Sequence, residues 1–260
     1  MSSTEEFERL FSRLDDMKKR AGRGELGVSA FLSPREEHYA VGYLSRNGTD
    51  LFSYGGYPDA ERKRIYVLPE YMEDVRSVEE LCEYGEDSGI IVLHVTGSGF
   101  CNLTHRDFMG ALLGLGIERS VIGDIIVING HEALVMCDVR IKDFLLSEWN
   151  SVGRDRVKCE VVDLPSDFTP VRNYAQVNDT LASARLDCVI AALCNLSRAD
   201  AKSAIESGIC EIDYECENHP DREVIPPVLI SVRGYGKFRV CSIGGQTKKG
   251  RYKLTAQKFL

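Results

Sequence analysis

Val228 to Leu260 holds eight Lys and Arg residues and not one Asp or Glu. Two stretches within it interleave bases with glycine and aromatic rings: Arg233-Gly-Tyr-Gly-Lys-Phe-Arg239 and Thr247-Lys-Lys-Gly-Arg-Tyr-Lys253. Cationic side chains neutralise phosphates, and a Tyr ring among them offers a face on which a base or ribose can stack. The chemistry this spacing suits is recognition of a nucleic-acid backbone, with Arg233, Tyr235, Lys237, Arg239, Lys248, Lys249, Arg251 and Lys253 as its candidates and Tyr252 as a further stacking residue. The whole chain is acidic at −8, so residues 1–227 carry 24 bases against 40 acids. A solvated positive tail is the plain alternative; an acidic body with a basic arm aimed at a polyanion is the sharper one.

Other chemistries find little support. The five histidines and nine cysteines are dispersed, without a C-x-x-C pair or ligand spacing. The cysteines are therefore expected to be reduced core residues, and neither a metal nor another cofactor is expected. No Ser or Cys stands in a nucleophile elbow. Val95-Thr-Gly-Ser-Gly-Phe100 follows an expected strand and would suit the glycine-rich loop of an S-adenosylmethionine-dependent RNA-modifying enzyme. Such a loop also needs an acid about 20 residues on at the end of the next parallel strand, whereas Asp124 stands at a strand start followed by a hairpin. No apolar run approaches the ~20 residues of a bilayer span. Met1 to Glu6 is polar and acidic, unlike a signal or transit peptide, so a cytoplasmic protein is expected.

At 260 residues the chain has room for two or three small domains. Phe7, Leu10, Phe11, Leu14 and Met17 form one apolar stripe, predicting a helix that ends at Gly22. Ser33, Pro34 and Glu36 make a capping box for a second helix to about Ser45. Strands are expected at 51–54 and 65–68. Between them the charged run Ala60-Glu-Arg-Lys-Arg64 offers Arg62 and Arg64 as either a second RNA contact or a solvated face. Then come a strand at 90–95, a helix capped by Thr104 whose His105 and Arg106 could approach RNA, two strands at 124–128 and 133–136 joined at Asn129-Gly130, a helix at 138–149, and a strand at 156–162. The order β-α-β-β-α-β is the ferredoxin-like one. After a linker at 164–170, helices are expected around 186–193 and from Ser197 to Gly208, with short strands at 209–214, 228–232 and 238–243. The fold class is α+β: an N-terminal α/β domain (1–80), a ferredoxin-like (RRM-like) middle domain (81–165) and a third domain (178–260) ending in a basic extension from Gln246.

Ala184-Arg-Leu-Asp187, Leu196-Ser-Arg-Ala-Asp-Ala-Lys202, Ile205-Glu-Ser-Gly208 and Val232-Arg-Gly-Tyr-Gly-Lys-Phe238 resemble, in order, the S-four (alpha-L) RNA-binding domain. The resemblance implies that Arg185, Ser197, Arg198 and Lys202 lie on an RNA face of a helix pair, with Arg233, Lys237 and Arg239 beside them. Helical spacing agrees, since Arg198 and Lys202 are four apart, and a helix start at Ser197 presents N–H groups suited to phosphate. Two places depart from the pattern: Asp213-Tyr-Glu-Cys216 replaces an Asn-Gly turn, and Pro226-Pro227 replaces Gly-Asp. Arg185-Leu-Asp187 also resembles the catalytic triplet of pseudouridine synthases, but here it opens a short amphipathic helix.

Phe31-Leu-Ser-Pro-Arg35, Gly55-Gly-Tyr-Pro-Asp-Ala-Glu-Arg-Lys-Arg64, His105 to Arg119 and Thr247-Lys-Lys-Gly-Arg251 resemble the YlmH family of bacteria and photosynthetic organelles. That resemblance implies a non-enzymatic, monomeric protein binding rRNA, and tRNA as a further partner, on the large ribosomal subunit. It links the family to rescue of obstructed subunits that still carry peptidyl-tRNA, and to cell division, where a scaffold role is the alternative. The plastid and cyanobacterial branch is linked to photosystem II; without a transit peptide the bacterial branch is expected here.

Overall fold

The apolar stripe Leu10, Leu14 and Met17 is the buried face of helix α1 (Ser3–Ala21). The structure, a computed structural model, describes residues 3–171, 174–248 and 250–259. Strand β1 (Gly27–Val28) follows, then helix α2 (Pro34–Arg46), opened by the expected box in which the Ser33 side chain accepts from Glu36 N and the Glu36 carboxylate accepts from Ser33 N at 2.7 Å. Strands β2 (Leu51–Tyr54) and β3 (Arg64–Val67) complete a small antiparallel sheet of order β1-β3-β2. The first two helices bury Leu14, Ala40 and Leu44 against Ile65 and Val67. Helix α3 (Val78–Glu83), capped by Ser77, escaped the sequence reading because only Leu81 in it is buried.

Next come β4 (Ile90–Gly97), α4 (His105–Gly114), β5 (Ile122–Asn129), β6 (Glu132–Asp138), α5 (Lys142–Glu148), β7 (Ser151–Val152) and β8 (Asp155–Val162). Without the two-residue β7 this is the β-α-β-β-α-β order that the periodicity predicts. The sheet runs β5-β6-β4-β8-β7, every pair antiparallel. Leu93, Val95, Val135 and Cys137 face Phe108, Leu112, Leu145 and Trp149 of the helices. The opposite face is also covered: Val92, Leu134 and Met136 pack against Tyr57 and Ala60. Burial on both faces explains why β4 and β6 read as continuous apolar runs. The hairpin is tighter than expected. Asn129 still pairs with Glu132, and its side chain accepts from His131 N at 3.0 Å, so Gly130 and His131 form the turn. A Cβ on Gly130 would sit 2.1 Å from Asn102 Oδ1, so a larger residue there would have to turn the exposed Asn102 side chain aside.

The chain divides into two compact units, residues 1–170 and 171–260. The second holds β9 (Tyr174–Leu181), α6 (Leu186–Cys194), α7 (Arg198–Glu206), β10 (Cys210–Ile212), β11 (Glu215–Cys216), β12 (Val228–Val232), β13 (Gly236–Gln246) and β14 (Tyr252–Phe259). One six-stranded sheet, β11-β10-β12-β13-β14-β9, packs Ile230, Phe238, Val240, Leu254 and Ala256 against Leu186, Val189, Ile190 and Ile205 of the two helices.

Three expectations need correction. The stretch from Gln246 is no arm: residues 252–259 form β14, inserted between β13 and β9, with Leu254 and Ala256 buried and polar residues between them. The cysteines are all unbonded, but Cys82, Cys101, Cys216 and Cys241 are exposed, Cys101 in the loop between β4 and α4 and the other three on the solvent side of their elements. Third, the strand expected over 209–214 covers only Cys210–Ile212, and a two-residue turn, Asp213-Tyr214, leads from it into β11. Asp213 and Tyr214 take left-handed φ of 46° and 69°, and the Asp213 carboxylate accepts from Leu229 N at 3.0 Å. Asp there tolerates that region and stabilises the turn by hydrogen bonding.

Candidate RNA-binding surface

Asp187 lies in the first turn of α6 and is buried, 3 % exposed. Its carboxylate accepts from Arg185 Nε at 3.2 Å and Nη2 at 3.3 Å, and from Arg198 Nε at 3.1 Å. Burial alone would raise the Asp187 carboxyl, yet the hydrogen bonds from Arg185 and Arg198 prevail and hold it below the usual carboxylate range. One buried acid thus fixes two guanidinium groups, from the start of α6 and the start of α7. Arg185 and Arg198 remain 42 % and 59 % exposed, so their outer N–H edges are presented to solvent in a fixed orientation. This role for Asp187 escaped the sequence reading. Its signal was the Arg185-x-Asp187 spacing at a helix start.

The start of α6 is itself braced. Its N–H groups at Leu186 and Asp187 donate to the carbonyls of Arg222 and Pro220. That loop is held by Glu217, whose carboxylate accepts from Arg222 Nη1, pairs with the His219 ring and accepts from His219 N at 2.8 Å. Burial would push the Glu217 carboxyl up; the bonds from Arg222 and His219 outweigh it and bring it from 4.5 to about 2. A carboxyl with a lowered folded value contributes stability that is fully present above its ordinary value and lost as pH falls through the folded one. Thermal unfolding between pH 4.5 and pH 2 is therefore expected to show a falling midpoint for wild type, with a shallower fall for Glu217→Gln. Parallel slopes would remove Glu217 from the brace.

Ser197 caps α7, accepting from Asp200 N and donating to Asp200 Oδ2 at 2.6 Å. An acid therefore occupies the helix start where a phosphate was expected, and Ser197 serves the helix. Lys202 is exposed and faces Glu206 at 3.6 Å, an i,i+4 pair of little strength in water. Arg233, Gly234 and Tyr235 form the turn between β12 and β13; Arg233 is exposed and Tyr235 is 39 % exposed. Lys237 and Arg239 project from the β13 face opposite Phe238 and Val240. Their charges sit 5.3 Å and 5.8 Å from the Phe259 ring, and Lys237 is 5.2 Å from the Tyr214 ring. Lys248 and Lys253 are exposed on the β13–β14 hairpin, where Arg251 is anchored by Nε to Thr180 Oγ1 at 2.9 Å. Lys249 lies outside the described residues. Tyr252 turns toward the core and is half-buried. The structure brings Arg185 and Arg198 together on Asp187, and Lys237 and Arg239 on Phe259. Residues 171–260 carry thirteen Lys and Arg against ten Asp and Glu; residues 1–170 carry nineteen against thirty.

In unit 1, Arg62 and Arg64 prove to be internal rather than a solvated or RNA-facing run. Arg62 donates to the carbonyls of Ile122, Phe31 and Arg119 at 2.9–3.0 Å. Arg64 is 5 % exposed and pairs with Asp138 at 2.8 Å. His105 and Arg106 are exposed in the first turn of α4. The glycine-rich stretch after β4 is filled by an acid of the same chain: Asp155 accepts from Ser98 N at 3.1 Å and from Ser98 Oγ, and a Cβ on Gly97 would lie 2.6 Å from it. A carboxylate where a cofactor's phosphate or carboxylate would sit opposes an anion there. Asp124 is likewise committed, to Tyr57, Glu61 N and Arg62 N. Among the described residues no group of three or more His, Cys, Asp or Glu could hold a metal ion, and no helix is long and apolar enough to cross a membrane.

Residues 85–166, which contain the β4-to-β8 sheet, match the family model described as "Putative RNA-binding domain in YlmH". The matched domain is thus the middle segment, not the basic C-terminal one. The "Ribosome-associated protein quality control protein P2" of Bacillus subtilis (strain 168) is 28% identical over 231 residues, covering 89% of this chain and 86% of that protein. The solved structure of "Cell division protein ylmH from Streptococcus pneumoniae" superposes with a TM-score of 0.51 at 22% identity, over 62% of this chain and 93% of that one, a likeness of fold. The similarity to a YlmH RNA-binding domain thus lies at residues 85–166, within a chain that resembles the Bacillus ribosome-associated protein over 89% of its length.

Proposed function

We propose that this chain is a non-enzymatic, cytoplasmic bacterial protein that binds RNA on the large ribosomal subunit, rRNA first and tRNA with it, in ribosome-associated quality control. The observation that carries the reading is the Asp187-anchored pair Arg185 and Arg198, two pre-oriented guanidinium groups on the more basic unit. The named role of the Bacillus relative supports the ribosomal setting. In this reading unit 2 is an S-four domain from about residue 178, with α6, α7 and the Arg233–Tyr235 turn as its RNA side. Residues 81–165 are a ferredoxin-like, RRM-like domain, consistent with the strand order β5-β6-β4-β8, and residues 1–80 are a smaller α/β domain. The chain acts as a monomer, needs no cofactor, and uses Arg185, Arg198, Lys202, Arg233, Tyr235, Lys237 and Arg239 toward RNA, with the hairpin bases Lys248, Arg251 and Lys253 beside them.

Binding dominated by phosphates falls steeply with salt. Replacing Arg198 and Lys202 together with alanine is expected to release the protein from large subunits and to flatten the slope of log affinity against log salt by about 2. The fold should survive, since Asp187 keeps both of its bonds from Arg185 and both replaced side chains are more than half exposed. Cosedimentation with isolated subunits over a salt series measures this. Unchanged cosedimentation and slope would sink the reading.

A further inference from the structure

Unit 1 is acidic as a whole, yet one cavity in it of about 530 Å³ is lined by five arginines, Arg9, Arg13, Arg35, Arg62 and Arg119, and by a single acid, Glu36. Glu36 is already committed, its carboxylate accepting from Ser33 N and Ser33 Oγ in the α2 capping box. One side of the cavity is cross-tied by hydrogen bonds. Phe31 N donates to Ser120 O at 2.8 Å, and Arg62 spans the carbonyls of Phe31, Arg119 and Ile122, tying the loop before α2 to the turn before β5. Arg62 uses these N–H groups on neutral carbonyls, so its charge is solvated but not neutralised there. Its basicity is lowered by burial first and by the neighbouring Arg119 charge second, with partial relief from Glu36 and Asp124. Arg13 and Arg119 are exposed and have no ion-pair partner among the described residues. The charges of Arg13, Arg62 and Arg119 around one concavity repel unless an anion sits among them, and forked guanidinium groups suit the oxygens of a phosphate.

We propose that this cavity is a second, separate anion site that takes a phosphate group, carried either by an RNA chain or by a free nucleotide. Its volume lies in the range of small-molecule sites and admits a mononucleotide. Arg62 forms the fixed floor, and Arg13 from α1 and Arg119 from the turn before β5 close on the phosphate from two sides. Phe7 and Phe31 supply apolar wall. The site does not depend on the reading of unit 2, because Arg198→Ala with Lys202→Ala leaves every lining residue in place.

The test is calorimetric titration of the full chain with inorganic phosphate, with adenosine monophosphate, and with one RNA oligonucleotide bearing or lacking a 5′-phosphate. The Arg13→Ala, Arg119→Ala double variant is expected to lose phosphate affinity at least tenfold while its unfolding midpoint stays that of wild type. Arg13→Glu, a charge reversal at an exposed helix position, reads the same site independently and is expected to abolish binding. Preference for the monophosphate over both RNAs assigns a free nucleotide. A gain on adding the 5′-phosphate, lost in the variants, assigns an RNA end; RNA binding that weakens equally in the variants with or without that phosphate assigns the backbone. Failure of every probe to bind, or equal affinity in wild type and both variants, overturns the proposal.

Discussion

Ending the chain after Arg251 is expected to unfold unit 2, not merely to weaken its hold on RNA. The truncation removes β14, which lies between β13 and β9 and registers with both along its length. Edge strand β9 meets the sheet through β14, so it loses its ladder as well. Leu254 and Ala256, 1 % and 0 % exposed, leave a void in the core they share with Val240 and Leu181 of the neighbouring strands. A buried leucine alone is worth about 2–5 kcal/mol when cut to alanine, and a whole domain is stable by only ~5–15 kcal/mol. Loss of a central strand therefore exceeds what the remainder can carry. Amide hydrogen exchange on the truncated chain is expected to show residues 186–246 unprotected and unit 1 unchanged. A merely basic tail would have given the opposite: full protection with lower RNA affinity. The cooperative unfolding transition of unit 2 is a second readout, and its survival in the truncated chain would mean that β14 is dispensable.

That contrast marks how far the residues could be read. Elements whose cause is local were legible: the α1 stripe, the Ser33 and Thr104 boxes, the amphipathic pair α6 and α7, and the β-α-β-β-α-β order all follow from neighbours a few positions apart. Strand β14 was not, because Tyr252-Lys-Leu-Thr-Ala-Gln-Lys has two core residues, one of them only alanine, and reads as a basic tail. It pairs on one side with β13 across a short hairpin and on the other with β9, more than 70 positions earlier, and the second, non-local pairing leaves little trace in local propensity. The binding candidates divide in the same way. Arg198 and Lys202 on one helix face were readable from spacing. That Arg185 and Arg198 meet on buried Asp187 was not, since the two arginines are separated by a whole helix. Arg62 and Arg64 fooled a reading by composition: a run of charges is normally solvated, and here distant carbonyls and Asp138 draw two of them inside.

Arg64 carries the second large effect. It begins β3, is 5 % exposed, and is tied on every side: Nε to Ser29 O at 2.8 Å, Nη1 to Gly89 O at 3.0 Å and Nη2 to Asp138 Oδ2 at 2.8 Å. It joins the small sheet to the end of β6. Asp138, 1 % exposed, is raised by its burial, but hydrogen bonds from Arg140 and the Arg64 charge more than compensate and hold its carboxyl below the usual range. Arg64→Met keeps the stem's apolar volume and removes the charge, leaving the Ser29 carbonyl without its donor, the Gly89 carbonyl with Val139 N only and Asp138 with Arg140 alone. Breaking a buried pair from one side typically costs about 3–5 kcal/mol. Because the Arg140 side chain, 74 % exposed, can still reach Asp138, the lower end applies. About 3 kcal/mol in a unit of this size lowers the midpoint of thermal unfolding by roughly 6–12 °C. The sign with pH follows from the lowered carboxyl: wild type keeps this contribution above the usual carboxylate value and loses it as pH falls below, so the gap between wild type and Arg64→Met narrows in acid. Calorimetry of both proteins at neutral pH and in acid measures the two effects together. A midpoint unchanged at neutral pH would show that Arg64 is held by the fold without holding it, and that packing alone joins the small sheet to β6.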